Sequence, residues 1–263
     1  MLNNGIPVSI SLEPTLQREN AISKKKYDKK RLVRLSLLAV VIAVCISFIA
    51  KLLVFLIDLI TNIAFYGNFS IEPSSPIHHS YGIFVVIVPI VGGLIVGLMA
   101  LYGSKAIRGH GIPEAMEQIL TNQSKIKPSI TYLKPLSAAI SIGTGGPFGA
   151  EGPIIATGGA LGSTLGQLIK ITPNERKILL AAGATAGMSA IFGSPLAAIL
   201  LAIELLLFEF SVRSFIPVAL ACITGAAGHH LLFEEGVVFP LNFLLQPSSN
   251  YALLFYATMG IVI

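Results

Sequence analysis

GTGGPFGAEGP, residues 143–153, sets one ionisable side chain, Glu151, among five glycines and two prolines, with apolar sequence on both sides. A helix that opens near Gly152 leaves its first N–H groups without intrahelical partners. Those donors, together with the positive end of the helix dipole, attract an anion, most strongly where water is scarce. Glycines let the backbone close around an ion, and Pro153 suits a first helical turn because its missing N–H costs nothing there. Gly149, Ala150, Gly152 and Pro153 are therefore expected to border an anion site. The Glu151 carboxylate can accept the same N–H bonds as a halide. Ionised, it plugs the site, and protonated or displaced it leaves, which makes it a gate. The structural alternative is a glutamate that only caps the helix.

Working outward from this stretch, the surroundings are those of a bilayer. The chain has 263 residues, 54% of them hydrophobic and 12% charged, with mean hydropathy +0.79. Soluble domains carry roughly twice that charged fraction. Apolar runs recur at 35–65, 83–101, 178–208 and 215–233, each near or beyond the roughly 20 residues that cross a bilayer as a helix. The fold class expected is all-α: a polytopic membrane protein of tilted and discontinuous helices. The run at 35–65 is too long to stand upright, so it tilts or extends past the bilayer. Lys51 and Asp58, seven residues apart, share a face that reads as a packed stripe. The run at 83–101 is expected to be interrupted by Pro89 and Gly92-Gly93. Gly193-Ser194-Pro195 divides 178–208 into two helices.

Nine of the eighteen Lys and Arg lie at or before Lys51, five between Lys105 and Lys134, three between Lys170 and Lys177, and the last is Arg213. Basic loops stay cytoplasmic. The N-terminus is thus expected to be cytoplasmic, and the loops at 67–80 and 234–250 are expected to face outward. A juxtamembrane topology signal accounts for KKKYDKKR, so no nucleic-acid partner is expected. The first apolar run is too long for a signal-peptide core. Cys45 and Cys222 sit in apolar sequence and read as packing residues. His229-His230 with Glu234-Glu235 is the nearest approach to a metal-ligand cluster, and it falls at an outer loop. No P-loop, dinucleotide fingerprint, HEXXH or nucleophile–base pattern occurs. Neither an enzyme nor a cofactor nor a metal is expected.

A second glycine motif, Gly109-His110-Gly111-Ile112-Pro113-Glu114, has the same grammar: glycines, a proline, then a short amphipathic helix with a carboxylate in its first turn. By that grammar its loop, Gly109, His110, Gly111 and Ile112, is a second candidate anion-binding helix start. His110 reads equally as a hydrogen-bond donor to an anion and as an ordinary loop histidine. Gly158, Gly159, Gly162 and Gly166 permit close helix approach in lipid. Two short or Gly/Pro-broken apolar segments in one chain point to a substrate site built on discontinuous helices.

GHGIPE, GTGGPFGAEGP and IFGSPLAAILLAIE, in this order, resemble the CLC family of chloride channels and proton-coupled chloride exchangers. The resemblance covers about 35–263. It implies a cytoplasmic tail over 1–30, the first of two inverted membrane repeats over 31–250, and the start of a truncated second repeat at 251–263. By the same resemblance Glu151 is the external gating glutamate, Lys134 is a buried lysine that makes the anion path electropositive, and a homodimer forms through the helices after Pro195 and Phe215. The family usually has serine where His110 stands. Leu205 occupies the position of an intracellular proton glutamate, and an apolar side chain relays no proton, which favours passive conduction. The expected function is gated transport of chloride or a similar small anion across the bilayer. A proton-coupled antiporter, or a non-conducting assembly fragment, is the alternative. The missing C-terminal repeat, which in the family completes the anion shell, is expected to be needed.

Overall fold

The computed structural model describes residues 29–109, 111–233, Ala252, Thr258 and Met259. Residues 1–28 of the expected tail, the outer loop at 234–250 and most of 251–263 lie outside the described residues, as does His110. All regular structure among the described residues is helical. The helices are α1 (Lys29–Tyr66), α2 (Gly82–Gly103), α3 (Ile112–Thr121), α4 (Ile130–Gly143), α5 (Glu151–Leu168), α6 (Pro173–Phe192), α7 (Pro195–Leu207) and α8 (Val212–Leu232). α1, α2 and α8 are long and apolar enough to cross a membrane.

α6 is the axis of the bundle, packed by α1, α5, α7 and α8. It is buried nearly all round: Leu179, Leu180, Ala181, Ala182, Ala184 and Ala186 are inaccessible. Its small residues make this possible. A Cβ on Gly158 of α5 would run into the Gly183 carbonyl, and one on Gly183 would run into that of Gly158. Gly162 meets the Leu179 carbonyl in the same way, and Gly225 of α8 lies 2.5 Å, by its virtual Cβ, from the Ala186 oxygen. Gly159 has more room, its nearest neighbour being Leu180 Cδ2 at 3.6 Å. Backbones in contact replace side-chain knobs along this seam.

α1 has 38 residues, about 57 Å at roughly 1.5 Å per residue, well beyond a hydrocarbon core of about 30 Å. It begins at Lys29, inside the tail assigned from sequence. Lys51 lies with its ammonium 4.7 Å from the Phe55 ring and 4.8 Å from that of Phe233, so aromatic faces shelter this charge. The break expected in α2 at Pro89 and Gly92-Gly93 is absent. Pro89 falls in the first turn of the regular segment Ile87–Leu98, where a proline displaces no hydrogen bond, and Gly92 is packed under Thr144. The irregular parts of α2 are its ends, a 3-10 turn at Gly82–Val86 and a π-turn at Met99–Gly103.

The division of 178–208 is as the sequence predicts. Gly193 ends α6 at φ +63°, its N–H on the Ser189 carbonyl, and Pro195 opens α7. His229 Nδ1 bonds the Ala190 carbonyl at 2.9 Å, so this imidazole ties α8 to the end of α6, while Glu234 and Glu235 lie outside the described residues. Among the described residues no group of three His, Cys, Asp or Glu could hold a metal ion.

Candidate anion site

The two glycine motifs meet. Gly109 at φ +90° and Gly111 at φ +102° occupy the left-handed region that side chains rarely adopt, and they turn the chain into α3. A Cβ on Gly111 would collide with the Gly152 carbonyl. The start of α3 is therefore in backbone contact with the start of α5. Pro113 sits in the first turn of α3, and the Glu114 carboxylate accepts the Gly111 N–H at 2.6 Å. The first amide to close a helical bond in α3 is that of Ala115, on the Gly111 carbonyl at 3.0 Å.

On the other side, α4 ends at Gly143 and its chain turns through Gly145, φ +88°. α5 starts at Glu151, one residue before the position expected. Its first closed helical bond is Ile154 N–H to the Ala150 carbonyl at 3.1 Å, so the preceding donors of the turn face the loop. Ala150 is buried at 3% exposure, whereas Glu151 is exposed and its carboxylate lies over Gly149, where no side chain fits.

Between these starts opens a cleft of about 470 Å³. Of the residues picked out from sequence it is lined by Gly109, Ile112, Lys134, Gly149, Glu151, Gly152 and Pro153. Gly111 instead lines a neighbouring cleft of about 480 Å³ and backs onto Gly152. Ala150 is the buried residue before the helix, and Leu205 is half-buried in the π-turn Ala202–Leu207, which packs on α3.

Lys134 is buried at 4% exposure. Its ammonium donates to the carbonyls of Ile107 at 2.6 Å and Gly109 at 2.8 Å. It thus clamps the first motif to α4 while keeping its positive charge at the cleft wall. Sequence reasoning missed two further polar residues of the lining, Arg108 and Ser141. Arg108 adds a second cation directly before the first motif, a signal present in the string RGHGIPE. Ser141 joins only because α4 turns that face inward, which its apolar neighbours do not announce. Two cations, two helix starts and one carboxylate at a single opening make a site suited to a small anion, with Glu151 in a position to compete for it.

The family model for voltage gated chloride channels matches residues 91–263, which hold both motifs and all of the cleft's glycine loops. The H(+)/Cl(-) exchange transporter ClcA of Yersinia pestis is 32% identical over 160 residues, 59% of this chain and 33% of that protein. The chloride channel protein CLC-f of Arabidopsis thaliana is 28% identical over 150 residues, 54% of this chain and 18% of that protein. Among solved structures, a slow cyanobacterial Cl-/H+ antiporter superposes with a TM-score of 0.66 at 20% identity, covering 87% of this chain and 53% of its own. The chain thus spans about half or less of the length of these relatives. The bundle, its two glycine-built helix starts and the match over 91–263 have one explanation: this integral membrane protein belongs to the voltage gated chloride channel (CLC) family.

Proposed function

We propose that the chain carries a small anion, chloride or one like it, across the bilayer, with the cleft between α3 and α5 as part of the path. The observation that carries this is the convergence of both helix starts with Lys134 and Glu151 on one opening. Lys134 and Arg108 supply positive potential, the amides before Ile154 supply donors, and Glu151 acts as the plug. Such donors act strongly because little water competes for the ion. The chain spans about half or less of the length of these relatives, and in this reading a second repeat completes the anion shell. In this reading the N-terminus is cytoplasmic, which the basic stretches support.

The reading leans to passive conduction, because Leu205 is apolar and half-buried where a proton-carrying acid would be needed. Coupled exchange with protons is the second reading, favoured by what the Yersinia pestis and cyanobacterial proteins are named for. Two copies pair through α7 and α8, which expose Leu196 (70%), Leu200 (57%) and Ile223 (56%).

Chloride efflux from liposomes, with and without a supplied second repeat, tests transport. Flux in either arm supports it, and no flux in both leaves assembly as the function. Reversal potentials then separate the mechanisms. A shift with the proton gradient at fixed chloride refutes passive conduction.

A further inference from the structure

A second cleft, of about 390 Å³, lies at the other end of α5 and shares no residue with the anion cleft. The two are separated by the 18 residues of α5, about 27 Å. Four cations rim it: Lys30, Arg31 and Arg34 from the first turns of α1, and Lys170 from the turn after α5. Its one acid, Glu175, is 2% exposed and already committed. Arg31 grips that carboxylate with both Nε and Nη2, Thr172 donates its hydroxyl at 2.8 Å and its N–H at 3.1 Å, and Arg213 stands 3.6 Å away. The Thr172 capping box also closes the start of α6, so no helix terminus is on offer here. What remains facing the opening is positive side-chain charge, with Arg34 and Lys170 exposed. Lys170 sits at φ +55°, after a helix end where glycine would cost least, and it presents an ammonium there instead.

The floor of the cleft is apolar: Leu35, Leu38 and Ile171. Outside the lining, α1 bears an exposed apolar stripe at i, i+4, i+8 spacing: Val33, Leu37 and Val41 are 57%, 62% and 53% exposed. Cations at the head of an apolar span, above a greasy floor, match the two ends of one kind of molecule. We infer that this cleft binds the phosphate headgroup of an anionic membrane lipid, with Arg34 and Lys170 on the phosphate and the glycerol end of its acyl chains along α1. A soluble phosphate has the same headgroup chemistry but no use for the floor.

The test is thermal melting of the full chain in nanodiscs of phosphatidylcholine, with or without phosphatidylglycerol. Phosphatidylglycerol should raise the melting temperature by about 4 °C, and Arg34→Gln/Lys170→Gln should abolish that rise. Lys105→Gln/Lys127→Gln removes the same charge from exposed positions elsewhere and should keep it. Lys170→Gly relieves the backbone, so it should melt no lower than the parent in phosphatidylcholine, yet should lose most of the rise. Equal melting in both lipids, a full rise in Arg34→Gln/Lys170→Gln or in Lys170→Gly, or a lost rise in Lys105→Gln/Lys127→Gln would overturn the inference. So would an equal rise produced by inorganic pyrophosphate in phosphatidylcholine discs, which would assign the cleft to a free anion.

Discussion

Glu151 is the one carboxylate of the anion cleft, and it stands where α5 begins, with its side chain over a residue that has none. If it competes with the ion, removing its charge must favour the ion. Glu151→Gln is expected to raise anion flux and to flatten most of its dependence on external pH. Unchanged pH dependence in liposome flux would count against the plug. Glu175 illustrates the opposite use of a carboxylate. It lies in the first turn of α6, where it completes the capping box with Thr172. Burial alone would raise its pKa, but the Arg31 guanidinium and the Thr172 hydroxyl and N–H outweigh that and hold it at about 2, below the usual 4.5. A depressed carboxyl pKa stabilises the fold fully above the unfolded value and ceases to do so as pH falls through the folded one. Thermal melts should therefore lose stability between about pH 4.5 and 2 through this group, and Glu175→Gln should remove that component while lowering stability at neutral pH. Both glutamates stand out in the string as acids in a sparse-charge chain. The glycines around Glu151 mark it in sequence as standing at a helix start; nothing near Glu175 in sequence shows Arg31, which lies 144 residues away.

The helices are of two kinds, and sequence pattern distinguishes them well. Runs of bulky apolar residues make α1 and α2, which keep broad exposed faces, Leu94 being 66% and Val41 53% exposed. Runs of Ala and Gly make α5 and α6, which touch backbone to backbone. Spacing alone marks Gly158, Gly159 and Gly162 as equals, yet only two of them face a carbonyl. Gly158→Ala and Gly162→Ala should each cost about 1–3 kcal/mol by forcing the helices apart. Gly159→Ala meets only ordinary contacts and should be neutral or stabilise by up to about 1 kcal/mol, since glycine is poor inside a helix. Unfolding in detergent at matched conditions separates the three, and equal losses would contradict the seam. The break expected at Pro89 is absent for a related reason. A proline is a breaker only in a helix interior, and the start of that interior is set by where the chain leaves its 3-10 turn.

At the level of the molecule, the bundle holds two helix starts against one another. α6 anchors α5, α4 carries Lys134 to the first motif, and α3 lies against both α5 and the turn of α7. The pairing of copies proposed for α7 and α8 belongs to this scale too. Leu200→Trp and Ile223→Trp should convert a dimer counted by single-molecule photobleaching into monomers, and an unchanged count would free those faces for lipid. Membrane class, helix order, the break at Gly193 and the gate candidate could all be read from composition, periodicity and glycine placement, because each depends on residues near one another in the chain. That Gly111 backs onto Gly152, that Arg108 and Ser141 join the cleft and that Arg31 clamps Glu175 could not. Those facts depend on how separate helices pack, and packing is decided by the summed fit of surfaces distant in sequence, which no local pattern records.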